Sequence, residues 1–175
     1  MSPKNDRQTT WPQYLLALLC GAAVLVADRV TKWLVARRFA LGESKPFITG
    51  LLDFVYVRNS GGAWGMLSGK TAVLLLVTAA IMVLCVLILV KFSKSSPLLL
   101  WAIVLVLSGG IGNMIDRIFN GGEVVDFLHF AFFPSFPVFN VADCAVVIGA
   151  GLLILYFLLD SINKKTPPEE SDETP

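Results

Sequence analysis

The sequence predicts an all-α membrane protein built as a bundle of four transmembrane helices. Of its 175 residues, 55% are hydrophobic and only 15% are charged, whereas soluble domains are about 45–50% apolar and about 25% charged. Four stretches are also long and apolar enough to cross a bilayer, which requires about 20 residues. The net charge of +1 and the scattered Lys and Arg residues argue against a nucleic-acid binder, which would carry a basic face.

The first of the four predicted spans has to be distinguished from a targeting signal. Lys4 and Arg7 precede its apolar run, as in a cleaved signal peptide, and Cys20 follows leucines, as in a lipoprotein signal. However, no small-x-small cleavage site follows the run, and Leu19 is larger than the residue that a lipoprotein signal requires before its Cys. We therefore expect a retained helix, and the four spans cover residues 11–33, 71–90, 98–115 and 141–159.

The distribution of positive charge predicts the orientation of the chain. Four spans place both termini and the 91–97 loop on one side of the membrane, and the Lys and Arg residues there lie in short stretches close to span ends. Positive charge in such positions marks the cytoplasmic side. We therefore expect cytoplasmic termini, with the 34–70 and 116–140 loops on the outer face.

The chain is expected to form one integral membrane domain over residues 1–165. Residues 166–175 are acidic and rich in proline, which predicts a disordered tail. The three cysteines, Cys20, Cys85 and Cys144, lie in apolar stretches, and their odd count without a C-x-x-C motif argues against a disulfide framework or a zinc site. We interpret them as small core residues.

The two outer loops differ from simple connectors. Residues 51–58 are rich in β-branched and aromatic side chains, which predicts one or two short strands. Residues 128–139 are mostly aromatic residues and proline, and a loop of this composition tends to lie in the headgroup layer. That loop is either a flap over a site or a membrane anchor, and the sequence favours neither.

Asp126 and Asp143 say most about function. Asp126 lies between apolar residues in Val-Val-Asp-Phe, and Asp143 lies at the start of the last apolar stretch. An ionised acid near the bilayer interior costs roughly 2.5–3.5 kcal/mol on insertion scales, so such a residue is by default a candidate for function. If the two acids converge, they can share one proton and activate a water molecule for attack on an amide.

Each acid also has a plainer interpretation. Asn140 is a good helix N-cap, and Asp143 three residues later would complete a capping box. Asp126 would then be a polar residue in a surface loop. The acids are 17 residues apart and the intervening loop can fold back, so the sequence permits convergence without establishing it.

Further polar residues lie near the ends of the first and third spans. Asn113, Asp116 and Arg117 fall within about one helical turn, beside glycines that allow close helix contact. They form either a polar clasp between helices or part of a site. Asp28 and Lys32 are spaced i, i+4 with the acid first, the favourable order for an ion pair. That pair either lowers the cost of charge near the interface or contributes to the site.

Other functions would use different residues of the chain. Ser108, followed by two glycines, and the lone His129 are the pair that an intramembrane serine protease would need. Intramembrane Asp, Lys and Arg are typical of ion-coupled transporters, although four spans without an internal repeat or a mid-membrane break argue against one. A lipid-binding module without chemistry stays open, whereas the missing His-Glu-x-x-His motif argues against a metalloprotease.

Five motifs, in order along nearly the whole chain, resemble those of the lipoprotein signal peptidase family, signal peptidase II. The motifs are Asp28-x-x-Thr-Lys32, Asn59-Ser-Gly-Gly-Ala-Trp64, Gly112-Asn-Met-Ile-Asp-Arg117, Val124-Val-Asp-Phe127 and Phe139-Asn-Val-Ala-Asp143. Each is weak by itself, but five in the right order around four spans are a specific signal. The second motif departs from the expected Asn-Thr-Gly-Ala-Ala-Phe, a change that keeps a hydroxyl and an aromatic ring but alters pocket shape.

The resemblance implies a four-helix membrane bundle with a small extracytoplasmic β-cradle and a surface helix. It matches Asp126 and Asp143 to a catalytic aspartate pair that needs no metal or cofactor. It also matches residues that line or brace the active site, namely Asp28, Lys32, Asn59, Gly61, Asn113, Arg117 and Asn140. Because a helix N-terminus favours an ionised acid, we assign Asp143 as the base and Asp126 as the acid.

The implied substrate is a prolipoprotein whose Cys already carries diacylglycerol, cut on the amino side of that Cys. Membrane lipid is the other implied partner, because the acyl chains of the substrate would lie between the helices. We expect a protein of the bacterial cytoplasmic membrane that works as a monomer, with its active site towards the outer face.

Overall fold

The computed structural model describes residues 9–92 and 96–165. Its four α-helices are α1 (Trp11–Arg38), α2 (Thr71–Phe92), α3 (Pro97–Phe119) and α4 (Val141–Lys165). Each contains a stretch that is long and apolar enough to cross a membrane, which confirms the four predicted spans. The tail predicted at 166–175 lies outside the described residues.

The helices begin where the sequence predicts, but they run further than the apolar stretches. α1 ends at Arg38 instead of residue 33, α3 at Phe119 instead of residue 115, and α4 at Lys165 instead of residue 159. Hydropathy falls where charged residues begin, whereas a helix continues as long as its backbone hydrogen bonds can form. The apolar stretch therefore marks the membrane crossing and not the end of the helix.

α3 forms the centre of the bundle and contacts the other three helices. Half of the most apolar stretch of α3 is buried inside the protein, compared with 6% of the corresponding stretch of α2. Its close approach to α4 depends on glycine, because a Cβ at Gly109 would lie 2.2 Å from the carbonyl oxygen of Ala142. The close helix contact predicted at the glycines of the third span is confirmed, and it places the start of α4 directly against α3.

Three antiparallel strands form a small sheet, with β2 between the other two. They are β1 (Ser44–Ile48), β2 (Leu52–Asn59) and β3 (Val124–Phe130). β2 confirms the strand predicted at 51–58, and the sheet confirms the small β-cradle. β1 and β3 are not predicted by the sequence, because β3 is stabilised by pairing with a strand far away in the chain and strand formation depends on such context.

The surface-loop interpretation of Asp126 is wrong. Asp126 lies within β3, opposite Val57 of β2, and it is only 3% exposed. Its neighbours Val125 and Phe127 pack in a cluster with Val35 of α1. Successive side chains of a strand point to opposite faces, so Asp126 points away from this cluster.

The chain turns back after β3 and returns to the same strand. Leu128 and Phe139 exchange two backbone hydrogen bonds of 2.8 and 2.9 Å. This pairing brings Asn140, which precedes α4, beside the strand that carries Asp126. The surface helix that the resemblance implies is not seen in residues 9–92 and 96–165, where the only helical element besides the four helices is the short 3₁₀ turn Ala63–Gly65.

Candidate active site

Asp126 points from β3 towards a cavity of about 690 Å³, which Asp143 also lines. Both carboxylate oxygens of Asp126 accept hydrogen bonds, one from Nδ2 of Asn140 at 2.6 Å and the other from Nδ2 of Asn59 at 2.9 Å. Asn59 is the last residue of β2, so the pairing of β2 with β3 places it. The buried carboxyl group is therefore held by two amide donors, as buried polar groups usually are.

Asp143 lies in the first turn of α4, and it forms the capping box that its spacing from Asn140 predicts. The Asp143 N–H donates to Oδ1 of Asn140 at 2.9 Å, and the Asn140 N–H donates to Oδ2 of Asp143 at 3.0 Å. The other carboxylate oxygen of Asp143 accepts a 2.7 Å hydrogen bond from Nδ2 of Asn113 on α3. The capping role and a place in the site are therefore compatible.

Two asparagine side chains connect the two acids. Nδ2 of Asn140 donates to Asp126 and lies 3.1 Å from Oδ1 of Asn113, and Nδ2 of Asn113 donates in turn to Asp143. Asp126 and Asp143, 17 residues apart in the sequence, thus belong to one hydrogen-bond network at one cavity. The convergence that the sequence permits is present in the structure.

Burial raises the pKa of Asp126 from its ordinary value to about 7, and the negative charge of Asp143 adds to this rise. The amide donors of Asn59 and Asn140, together with the positive charge of Lys32, act in the opposite direction and favour the ionised form. The first two effects outweigh the others, because desolvation of a buried carboxylate is costly. Asp126 can therefore hold a proton near neutral pH.

The glycine turn that follows β2 is fixed to α3 by Arg117. Nη2 of Arg117 donates to the carbonyl oxygen of Gly61 at 2.9 Å, and the Gly61 N–H donates to Oδ1 of Asn59 at 2.9 Å. A Cβ on Gly61 would lie 2.9 Å from the carbonyl oxygen of Met66, so this position requires glycine. The turn thereby orients Asn59 towards Asp126.

Lys32 is the centre of a buried ionic network. Its Nζ lies 2.8 Å from Oδ2 of Asp28 and 2.9 Å from Oδ2 of Asp116, and it donates to Oδ1 of Asn113 at 3.0 Å. Lys32 is 1% exposed, and the two acids are completely buried. Arg29 also pairs with Asp116. The predicted Asp28–Lys32 pair is confirmed, but it is one part of a larger network.

The two acids of this network also hold the elements that carry Asp126 and Asp143. Oδ1 of Asp28 accepts a 3.1 Å hydrogen bond from the Ala142 N–H at the start of α4. Oδ2 of Asp116 accepts a longer one, 3.4 Å, from the Val125 N–H of β3. Asp116 is not among the residues that the resemblance matches to the active site, although the sequence groups it with Asn113 and Arg117 in either a polar clasp or part of a site. Its position within the third motif is the signal that points to it.

Apolar side chains form most of the cavity wall beyond the acids. They come from the 128–139 loop and from α4, and include Phe130, Phe136, Phe139, Val146, Val147 and Ile148. Trp64, one of the residues at which the second motif departs, closes another side and meets Phe136 edge-to-face with ring centroids 5.8 Å apart. The 128–139 loop also exposes Phe132, whose side chain is 62% accessible. The loop therefore contributes to the cavity wall and to the apolar surface.

The Ser108–His129 pair of the serine-protease alternative is not formed. The Ser108 hydroxyl donates to the carbonyl oxygen of Val104 within α3 at 2.7 Å, and the His129 ring lies 3.5 Å from the carbonyl oxygen of Pro134. Cys144 lines the cavity as a free thiol. In the described part of the chain, no three His, Cys, Asp or Glu side chains converge in a way that would hold a metal ion.

Comparisons with known proteins agree on one family. A family model described as signal peptidase (SPase) II matches residues 20–159. A lipoprotein signal peptidase of Anoxybacillus flavithermus is 39% identical over 94% of this chain and 98% of its own length. A lipoprotein signal peptidase of Bacillus subtilis is 40% identical over 87% of this chain and 96% of its own length. A solved structure of a bacterial membrane enzyme, determined by the in meso method, superposes with a TM-score of 0.82 at 35% identity, covering 91% of this chain and 96% of that chain.

These matches cover most of both chains in each comparison, and the solved structure shares the arrangement of helices and sheet described above. The family inferred from the five motifs is therefore confirmed. The chain belongs to the signal peptidase II family, whose members are aspartic-type proteases of the bacterial cytoplasmic membrane.

Proposed function

We propose that Asp126 and Asp143 are the catalytic pair with which this chain removes signal peptides from diacylglyceryl-modified prolipoproteins, cutting before the lipidated Cys. The observation that carries the proposal is the meeting of two carboxyl groups at one largely apolar cavity, linked through Asn140 and Asn113. Paired carboxyl groups that share a proton are the arrangement with which aspartic proteases activate water.

In the resting enzyme, Asp143 is ionised and Asp126 is protonated. The pKa of about 7 for Asp126 supports this assignment, and the N-terminus of α4 favours negative charge on Asp143. A water molecule loses a proton to Asp143 while its oxygen attacks the scissile carbonyl carbon, and Asp126 donates its proton to the carbonyl oxygen. When the tetrahedral intermediate collapses, Asp143 returns its proton to the leaving amide nitrogen, ionised Asp126 takes a proton back from one hydroxyl group, and the C–N bond breaks.

The surrounding residues keep this pair in place. Asn59, Asn113 and Asn140 orient the two carboxyl groups through the hydrogen bonds described above. Arg117 fixes the glycine turn through Gly61, and Asp28 with Lys32 supports the start of α4 from α1. The apolar wall formed by α4 and the 128–139 loop accommodates the signal peptide and the acyl chains of the substrate.

We propose that both termini are cytoplasmic, that the cavity faces the outer side, and that the protein works as a monomer within a single domain over residues 1–165. The positive charges near the span ends support this orientation. Labelling of single cysteines introduced in the 34–70 loop of a variant in which Cys20, Cys85 and Cys144 are replaced by Ser tests it. A membrane-impermeant maleimide labels only an outer loop in intact cells. Light scattering of the detergent-solubilised protein measures the oligomeric state.

The activity is tested with purified protein in lipid, a diacylglyceryl-modified prolipoprotein and mass analysis of the released peptide. Asp126→Asn and Asp143→Asn are each expected to lower the rate by about 10²–10⁴-fold, the usual contribution of a general acid or base. Asp53→Asn, on β2 away from the cavity, serves as the matched control and should keep full activity.

Cleavage that survives both substitutions would exclude the proposed pair. Ser108→Ala and His129→Ala distinguish the serine-protease alternative, because only that mechanism predicts their inactivation. Substrate without the lipid is expected to remain uncut.

A further inference from the structure

A second pocket, of about 220 Å³, lies between the end of α1 and the sheet. Its walls include Thr31, Leu34, Val35 and Arg38 from α1 and Phe54 and Phe127 from the sheet. Phe127 follows Asp126 in β3, and adjacent strand residues point to opposite faces. This pocket therefore lies on the face of the sheet opposite to the cavity of Asp126 and Asp143, and the proposed mechanism does not use it.

The helical part of the pocket follows one stripe of α1. Residues 31, 34, 35 and 38 are spaced i, i+3, i+4 and i+7, so they share one face and extend about 10 Å along the axis. They belong to the last two turns of a membrane-spanning helix. Trp33, in the same turns, is 52% exposed, and the guanidinium of Arg37 lies 4.3 Å from the centre of its ring. Aromatic and basic residues of this kind mark the membrane–water interface.

The charges around the pocket are mostly positive. Arg38 is exposed at its edge, and no acidic side chain among residues 9–92 and 96–165 forms an ion pair with it. Lys45 lies 5.1 Å from the ring centre of Phe39, which also lines the pocket, and its Nζ is 2.8 Å from Glu43. Lys45 is thus paired with an acid whereas Arg38 is not, which leaves an excess of positive charge at Arg38, where the apolar pocket opens.

We propose that this pocket binds an anionic phospholipid, with part of an acyl chain between α1 and the sheet and the phosphate on Arg38. An apolar interior with an arginine at its edge, placed where a spanning helix leaves the bilayer on the outer side, complements a lipid with a negatively charged headgroup, because a guanidinium pairs with phosphate through charge-assisted hydrogen bonds. The acyl chain covers aromatic and aliphatic walls that would otherwise face water. Because Phe127 forms one wall, the bound lipid supports β3 from the side opposite to Asp126.

Native mass spectrometry of the purified protein tests the proposal. Phosphatidylglycerol and phosphatidylcholine with identical acyl chains are offered separately, and glycerol 3-phosphate is offered as a headgroup without chains. The wild type is expected to retain one phosphatidylglycerol. Arg38→Gln is expected to weaken that retention about tenfold, as the loss of one charged hydrogen-bond partner does. Arg37→Gln is the matched control and should bind as the wild type does, because Arg37 is stacked on Trp33 outside the pocket.

Leu34→Trp fills the pocket without changing its charge, and it is also expected to release the lipid. Retention of phosphatidylcholine equal to that of phosphatidylglycerol would overturn the proposal, as would full retention in Arg38→Gln. Binding of glycerol 3-phosphate as strong as that of the lipid would identify a site for a free anion and would overturn it as well.

Discussion

Nζ of Lys32 lies 2.9 Å from Oδ2 of Asp116, which joins α1 to α3 at a point where Lys32 is 1% exposed and Asp116 is completely buried. Lys32 reaches Asp28 and Asn113 from the same position. One ammonium group thus pairs with two buried carboxylates, one of which also pairs with Arg29, and it orients the amide that donates to Asp143. This relationship links the stability of the bundle to the geometry of the active site.

Replacing Lys32 by Met is expected to lower the free energy of unfolding by about 3–5 kcal/mol, because two buried carboxylates lose their shared cation. Chemical unfolding in detergent, followed by tryptophan fluorescence, measures the change. Lys45→Met is the matched control: its ion pair with Glu43 lies at the surface, and surface pairs contribute little. Equal effects of the two substitutions would show that the buried network does not stabilise the fold.

Asp116→Asn is expected to lower kcat by about 10²-fold with little change in KM. The amide keeps the size of the side chain but weakens its ties to Lys32 and to the Val125 N–H, so β3 shifts and Asp126 loses its alignment. Displacements of about 1 Å have effects of this size. Steady-state kinetics with a lipopeptide substrate measures both constants, and Glu123→Gln, at an exposed pair with Arg58, is the control. A raised KM with unchanged kcat would contradict a positioning role.

Gly109→Ala is expected to destabilise the protein by about 1–3 kcal/mol, the usual effect of overpacking a close contact, and to reduce activity. Its Cβ would meet the carbonyl oxygen of Ala142 at 2.2 Å, so the first turn of α4 has to move. Gly110→Ala is the matched control on the same helix, since the nearest atom there is 3.5 Å away on the flexible side chain of Met82. Thermal unfolding and activity are measured for both variants. Equal effects of the two substitutions would show that the close contact between Gly109 and Ala142 contributes neither to stability nor to activity.

Activity is expected to fall as pH rises through about 7, because burial and the charge of Asp143 raise the pKa of Asp126 to that value and the acid form is needed. The raised pKa also means that protonated Asp126 stabilises the fold fully below the ordinary value of 3.8, and that this stability is lost as pH rises through about 7. The dependence of kcat/KM on pH, measured between pH 5 and 9, reports the titration.

Asn59→Ala is expected to move the alkaline fall to higher pH, since the hydrogen bond from Asn59 lowers the pKa of Asp126. His129→Ala is the control for this experiment, because His129 is the only histidine in the chain and is not among the groups that shift the pKa of Asp126. If the pH profile moves with His129→Ala and not with Asn59→Ala, the alkaline fall in activity does not report the titration of Asp126 and the prediction is wrong.

Short-range relationships in this protein follow directly from residue spacing. The capping box of Asn140 and Asp143 spans three residues, and the pair of Asp28 and Lys32 spans four. The four spans follow from runs of apolar residues, because crossing a bilayer requires a minimum length whatever the tertiary contacts are. The family follows from the order of five motifs, which requires no geometry.

Tertiary structure alone decided the long-range relationships. Asp126 lies in a strand because β2 is available to pair with β3, and the return of the chain at Leu128 and Phe139 brings Asn140 to it. Asp116 and the pocket behind Phe127 also depend on contacts between α1, α3 and the sheet. Spacing along one helix or strand fixes which residues share a face, but the sequence carries no comparable local signal for contacts that form only when distant segments meet.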